Sequence, residues 1–151
     1  MTAEQQKEFD SMCGAANVFN SSSVLLEDLI FKHLAPVVLK QHDKDLRGSI
    51  ISSVVLYALS CEISIKALLL KTDTPFPRSH DLKSLFDNLP VANQNSIKGE
   101  MVDFAEDFNI LLERNKKAFI EWRYFYEGNH KEVDITFLRK LSLKLGEECR
   151  K

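Results

Sequence analysis

The chain has few residues of the kinds that end helices and form turns, with five glycines and four prolines among 151 residues. It also lacks alternating apolar and polar runs, so no segment has the pattern of a half-buried strand, and no internal repeat is present. A chain of this length can bury a core as one domain without disulfides or metals. The sequence therefore predicts a single all-α domain over residues 1–151, a bundle of about five or six helices in an up-and-down arrangement.

Cysteine is also scarce, and its pattern excludes two classes of protein. Cys13, Cys61 and Cys149 are odd in number, far apart in sequence, and include no C-x-x-C pair. No histidine stands at zinc-finger spacing from them, so neither a disulfide framework nor a structural zinc site is indicated. The chain also has no Gly-rich phosphate loop, nucleophile elbow or dinucleotide fingerprint. We expect no metal and no cofactor.

A large excess of charge of one sign is absent too, since the net charge is -2 and the pI is about 6.1. No global basic field is present to attract nucleic acid, so any such contact needs a local patch. The first ten residues lack the basic and apolar regions of a secretory leader. The longest uncharged run, Ser11 to Leu26, has 16 residues, and the more apolar run from Gly48 to Cys61 has 14, both fewer than the ~18 of a membrane span. These absences predict a soluble, cytoplasmic protein without membrane contact.

The apolar periodicity and the capping residues predict the helices of the N-terminal half. We expect a loosely packed first helix within residues 1–20 that Gly14 interrupts. The serines at 21–23 are expected to cap a second helix that Pro36 bends. A central helix is predicted at about 45–71.

In the C-terminal half, Ser79 is expected to cap a short helix from Asp81 to Leu89. Apolar residues spaced three and four apart predict a long amphipathic helix from about 94 to 117. Gly128 is expected to stop an aromatic segment, and Asp134 to cap the last helix.

The central helix contains the segment Tyr57–Lys71, which is apolar nearly all round but carries Glu62 and Lys66 near its middle. A helix of this kind belongs at the centre of a bundle, where an unpaired charge is costly. Because glutamate precedes lysine by four residues, the two side chains can pair on one helix face. We favour this structural role over contact with a ligand.

Two segments resemble the HEPN family, the helical domains named for higher-eukaryote and prokaryote nucleotide-binding proteins. One runs from the central helix into the short one, ALSCEISIKALLLKTDTPFPRSHDLKSLFDNL, and the other is FIEWRYFYEG. The resemblance covers roughly residues 45–130. It implies the all-α fold, a homodimer, and in many members a metal-independent ribonuclease site made of an arginine and a later histidine with four to six residues between them.

Arg123 and His130 are the residues of this chain that match that motif, with six residues between them, the outer limit of the family's spacing. The resemblance implies that Arg123 binds the scissile phosphate and His130 acts as the acid or base. Glu62 and Tyr126 would position them, with Lys66 and Glu127 completing the set that holds a substrate or nucleotide. Such chemistry is coherent, since histidine titrates near neutral pH and arginine stabilises phosphate charge.

An alternative is that the same residues stabilise the fold and have no part in catalysis. Arg123 can pair with Glu62, or with Glu127 at the i+4 position, leaving His130 as a solvated loop residue. His80 is expected to be a helix-start residue bonded to backbone. The aromatic residues between Phe119 and Tyr126 favour core or dimer packing over base stacking.

The sequence and the resemblance together predict a cytoplasmic HEPN-like protein of a bacterial defence or toxin–antitoxin type system, with weak metal-independent ribonuclease activity. Its expected partners are a second copy of the chain, RNA or a nucleotide, and an antitoxin or defence protein. The alternative is a dimerising or nucleotide-binding scaffold that has no catalytic activity.

Overall fold

A computed structural model describes residues 1–33, 43–128 and 132–151. This part of the chain contains no strand, which confirms the all-α class and the helical bundle. Two of its α-helices have only six residues each. The helices are α1 Ala3–His33, α2 Asp43–Lys71, α3 Leu82–Asp87, α4 Val91–Gly99, α5 Phe108–Asn115, α6 Ala118–Arg123 and α7 Ile135–Arg150, with a 3₁₀ helix at Phe125–Glu127.

Helix α2 is the centre of the bundle, as its apolar sequence predicts. It packs against α1, α3, α6 and α7, and Tyr57, Ala58 and Ile65 are fully buried along it. Helix α1 runs antiparallel to it, because Ser60 Oγ donates to the Ala16 carbonyl while Lys71 lies over the Phe9 ring. Nearly every face of α2 is covered, which is why its side chains need no polar stripe.

The segment Gly48–Lys71 of α2 is also long and apolar enough to cross a membrane when judged by length and composition alone. Two-thirds of its most apolar window is buried inside the protein (67%), as in the core helix of a soluble bundle. Cytoplasmic location therefore stays a prediction.

Helix α1 is longer than predicted, since one helix of 31 residues replaces two. Gly14 does not interrupt it and faces open space, so its propensity cost of about 1 kcal/mol is offset by packing on either side. The serines do not cap a new helix. Ser23 is fully buried within α1, and its hydroxyl donates to the Phe19 carbonyl one turn back. Pro36 lies outside the described residues.

The predicted long helix over residues 94–117 is wrong, because two shorter helices, α4 and α5, replace it. Helix α4 ends at Gly99, and Asp107 begins α5 by accepting a hydrogen bond from the Asn109 amide. Between them, Met101 is buried and Phe104 packs against the core. The apolar residues have helical spacing, but the chain turns between α4 and α5, and the apolar residues of this turn still reach the core.

Capping residues fix the ends of the other short elements. Asp81, not Ser79, caps α3, because its carboxylate accepts from the Ser84 amide while Ser79 Oγ accepts from the Asp81 amide. Asp134 caps α7 as predicted. Gly128 ends the 3₁₀ helix with φ 73, a left-handed conformation that glycine adopts without strain, and this confirms the predicted stop.

Candidate functional site

The chain reverses after α2 and returns toward the middle of that helix. Asp73 adopts a left-handed conformation with φ 51, and the Thr74 amide donates to the Leu69 carbonyl, which closes the end of the helix. The proline-bearing segment then leads back to His80, one residue before the cap of α3. This reversal places His80 beside Glu62, 18 residues earlier in the chain.

Glu62 is a buried carboxylate with two cationic or polar donors. Its side chain is 5% exposed, and Lys66 Nζ donates to it over 2.7 Å. His80 Nδ1 lies 3.0 Å from both carboxylate oxygens. The predicted i,i+4 pairing of Glu62 with Lys66 is therefore confirmed, and a histidine shares the same carboxylate.

The contact with Glu62 fixes the orientation of the imidazole. A carboxylate accepts hydrogen bonds, so Nδ1 of His80 carries the proton that points at Glu62. The other ring nitrogen, Nε2, is then the one left to accept a proton, and the His80 side chain is 48% exposed. A carboxylate-oriented imidazole with one nitrogen toward solvent is suited to act as a general base.

Helix α6 brings Arg123 to the same place through the ring of Phe119. The His80 ring lies 5.3 Å from the centre of the buried Phe119 ring, and the Arg123 guanidinium lies 4.8 Å from that centre. Arg123 also covers the Tyr124 ring at 4.6 Å and donates to the Tyr124 hydroxyl. The guanidinium and imidazole groups thus both contact the Phe119 ring. We call Glu62, Lys66, His80, Phe119 and Arg123 the Glu62 cluster.

The position of α6 depends on a buried asparagine at the end of α5. Asn115 is fully buried; its amide nitrogen donates to the Leu111 carbonyl, and its oxygen accepts from the Asp134 amide at the cap of α7. The neighbouring Lys116 carbonyl accepts from the Leu82 amide of α3. These bonds join α3, α5 and α7 immediately before α6 begins, so Phe119 is held against α2.

The electrostatic balance of the Glu62 cluster favours an anion. Glu62 and Lys66 cancel each other as an ion pair, and Arg123 adds a positive charge at an exposed position. Among the described residues, no carboxylate forms an ion pair with Arg123. A guanidinium stacked on aromatic rings keeps its donors available for a phosphate or carboxylate.

The structure groups some of the predicted site residues and separates others. Glu62 and Lys66 meet, but Arg123 does not pair with Glu62 because His80 and Lys66 already occupy that carboxylate. Arg123 does not pair with Glu127 either, within the ranges described, because α6 ends at Arg123 and the i+4 relation is lost. Glu127 is exposed in the 3₁₀ helix.

His130 and the side chain of Tyr126, two further predicted site residues, lie outside the described part of the chain. The roles predicted for them therefore stay predictions.

His80 is the site residue that the sequence reasoning missed. The sequence predicted that His80 bonds to backbone, but its ring bonds to the Glu62 carboxylate instead. One feature of the sequence could have indicated this contact. A histidine ends the loop that follows an apolar helix, and that helix carries a glutamate in need of a partner. Within the described ranges, no group of three or more His, Cys, Asp and Glu side chains could hold a metal ion.

The fold and this geometry define an all-α bundle with a buried glutamate that binds a lysine and a histidine beside an aromatic-stacked arginine. Comparison of the chain with protein-family models, with curated proteins and with solved structures finds no match. The resemblance to the HEPN family therefore stays a prediction from the motifs.

Proposed function

We propose that the Glu62 cluster binds a phosphodiester and that the protein is a weak, metal-independent ribonuclease. The observation that carries this proposal is the pairing of His80 with Glu62, together with the contact that His80 and Arg123 each make with the Phe119 ring. It supplies an oriented base and a cation at one exposed place, the two groups that RNA cleavage by transesterification needs.

In the proposed reaction Arg123 holds the phosphate and His80 acts as the base. Nε2 of His80 takes the proton of the ribose 2′-hydroxyl, and that oxygen attacks phosphorus. The bond to the 5′-oxygen breaks, leaving a 2′,3′-cyclic phosphate, and the 5′-oxygen takes a proton from water. Because one imidazole does not serve both proton transfers at once, the activity is expected to be weak.

The motif resemblance suggests a different base, His130, with the same arginine. A cleavage assay on single-stranded RNA in a chelator-containing buffer separates the two versions when it compares Arg123→Ala, His80→Ala and His130→Ala. Arg114→Ala is the matched control, since that exposed guanidinium already binds Glu106 through two nitrogens.

We expect Arg123→Ala and His80→Ala each to lower the cleavage rate by about 10²-fold or more, and the control to leave it unchanged. Loss with His130→Ala but not with His80→Ala would transfer the role of base to His130. Equal cleavage by the wild type and all three variants would remove these residues from the mechanism.

The biological setting is proposed on the motif resemblance alone. A ribonuclease of this kind would act in a bacterial defence or toxin–antitoxin type system and would be held in check by a protein partner. Coexpression with the product of a neighbouring gene, followed by copurification and growth measurements, tests this setting. Growth unaffected by expression of the wild type alone would argue against a toxin.

A second candidate function is a dimerising or nucleotide-binding scaffold without turnover. It is favoured by apolar side chains on the outer face of α1, where Val18, Leu25 and Leu29 are exposed. Residues 18, 25 and 29 are spaced by seven and four, so they form one stripe suited to a second copy of the chain.

The oligomeric state of Leu25→Glu tests that stripe, with Val102→Glu as a control at another exposed apolar residue. We expect the wild type and the control to be dimers by light scattering, and Leu25→Glu to be a monomer. Calorimetry with nucleotides, using Arg123→Ala for comparison, tests binding at the Glu62 cluster. A monomeric wild type that binds no nucleotide would eliminate the scaffold function.

A further inference from the structure

The N-terminal and C-terminal helices bring two cysteines together from opposite ends of the chain. Cys13 on α1 and Cys149 on α7 both line one cavity of about 250 Å³. The same cavity is lined by Asp10 and Arg150, so charged groups stand at its edge. Cys13 and Cys149 are separated by nearly the whole chain, which is why the sequence alone suggested no disulfide.

Regular antiparallel packing of α1 and α7 places these two residues opposite each other. Ser142 Oγ donates to Asn20 Oδ1, and a Cβ built on Gly146 would lie 3.6 Å from Asn17 Oδ1. The contacts therefore pair 142 with 20 and 146 with 17, at helical steps along both axes. Continuing the same steps by one turn on each helix pairs position 149 with position 13.

The two helices pack closely at Gly146. A Cβ at that position would meet the Asn17 side chain of α1 at ordinary van der Waals distance, one turn before Cys149. A disulfide needs Cα atoms within about 7 Å of each other, so between two helices it can form only where they pack closely. The Cys149 thiol donates a long hydrogen bond, 3.6 Å, to the Ser64 carbonyl.

We propose that Cys13 and Cys149 form a reversible dithiol–disulfide pair that joins the two ends of the bundle under oxidation by a small disulfide or a hydroperoxide. Cys13 is the half-buried and more accessible thiol, whereas Cys149 is buried. Cys13 thus meets the oxidant first, and Cys149 resolves the product.

With a small disulfide as oxidant, the Cys13 thiolate attacks one sulfur and releases one small thiol, forming a mixed disulfide. The Cys149 thiolate then attacks the Cys13 sulfur and releases the second small thiol. Two protein thiols are oxidised and one small disulfide is reduced to two thiols, so atoms and electrons balance. A hydroperoxide gives the same bridge, with water and an alcohol, or two waters, as products.

The surroundings make the reaction slow at neutral pH. Burial raises the pKa of the Cys13 thiol, while a hydrogen bond with Cys149 opposes the rise. Asp10 adds to the rise, and Lys71 and Arg150 oppose it. Burial likewise raises the pKa of Cys149 to about 12, and the neighbouring Cys13 adds to that rise. Since the thiolate is the nucleophile, the rate should grow about tenfold per pH unit below those pKa values.

The test oxidises the folded protein with oxidised glutathione and counts thiols after unfolding. The expected count falls from three to one, the mass falls by two hydrogens, and digestion with trypsin yields Glu8–Lys32 joined to Leu145–Arg150. No disulfide should join two chains, and reduction should restore all three thiols. The melting temperature should rise by on the order of 5–10 °C, because the bridge closes a very long loop.

Cys61→Ser is the matched control, because the Cys61 thiol is fully buried against the Leu138 carbonyl. It should still form the bridge, whereas Cys13→Ser and Cys149→Ser should not. Three free thiols in the folded, oxidised wild type would overturn the proposal. So would a mixed disulfide that persists at Cys13, or a bridge between two chains. These readings come from the wild type and do not depend on whether a variant folds.

Discussion

The Glu62–Lys66 pair gives the most direct test of how the centre of the bundle is built. We consider Glu62→Leu, Lys66→Met and the double variant. Each single change removes one partner of a 2.7 Å ion pair on α2 and leaves the other in place. The double variant replaces both charges with apolar groups of similar length.

The magnitude follows from exposure. Glu62 is 5% exposed on its side chain, so Lys66→Met leaves a buried carboxylate with His80 as its remaining partner. Lys66 is 18% exposed, so Glu62→Leu leaves an ammonium that reaches water only in part. Breaking a buried pair costs about 3–5 kcal/mol, and this partial exposure reduces the expected cost to about 2–4 kcal/mol for each single variant.

The double variant should be more stable than either single variant. Neither apolar side chain needs a partner inside the bundle, and replacement of a whole buried pair is often neutral. For a chain of about 150 residues, each kcal/mol corresponds to roughly 2–4 °C in melting temperature. We therefore expect each single variant to melt about 5–15 °C below the wild type, with the double variant between them and the wild type.

Urea unfolding of the four proteins at pH 7, at low and at high salt, measures the free energies of this cycle. A coupling energy of at least about 1.5 kcal/mol that persists at high salt would match a pair shielded from solvent. If the two single effects add to the double effect within about 0.5 kcal/mol, the pair does not hold the helix in the way inferred here. Unchanged stability in Lys66→Met would refute the reasoning as well.

Two further predictions concern the last helix. Burial acts to raise the pKa of Glu148, but hydrogen bonds from Lys151 and Ser96 outweigh it and hold that pKa below its usual 4.5. The ionised carboxylate therefore stabilises the fold above about pH 4.5 and loses this effect as the pH falls through the lower folded pKa. Urea unfolding of Glu148→Gln from pH 7 to 3 should show a smaller acid loss than the wild type, and parallel curves would contradict this. Asp134→Ala should lower the unfolding free energy by about 1 kcal/mol, since it removes the bond to the Phe137 amide, whereas Asp134→Asn should keep it.

The central part of the fold could be predicted because one feature dominated it. The continuous apolar face of α2 requires cover on every side, and the observed bounds Asp43–Lys71 agree closely with the predicted 45–71. The Glu62–Lys66 pair followed from spacing alone, because both residues lie on one regular helix. Local spacing is reliable where tertiary packing does not compete with it.

Helix boundaries elsewhere were set by packing that the sequence does not display. Gly14 reads as a break, yet α1 continues through it because Phe9 and Ala16 are buried on either side. The apolar spacing over residues 94–117 predicts one helix, yet Met101 is buried in the turn between two helices. In both places the same apolar residues fit two backbone paths, and the contacts with α2 and α7 select one.

The partner of His80 could not be predicted because it depends on the return path of the chain. The loop after α2 contains two prolines and a left-handed Asp73, and its direction in space decides which face of α2 it meets. Similarly, Cys13 and Cys149 are neighbours only because α1 and α7 pack side by side. Contacts between residues far apart in sequence are set by how the helices pack, and the spacing of residue types along the chain does not predict them.

The geometry also offers a second histidine for a site with Arg123, besides the one that the motif resemblance names. The motif resemblance needs Arg123 and His130 to converge, and His130 lies outside the described residues. His80, in contrast, is held by a buried carboxylate that Lys66 neutralises, and it shares the Phe119 ring with Arg123. An imidazole held in this way loses little freedom when a phosphate binds nearby, which is the condition for efficient proton transfer. If the protein cleaves RNA, the buried glutamate of α2 therefore acts by positioning the base and not by binding the arginine.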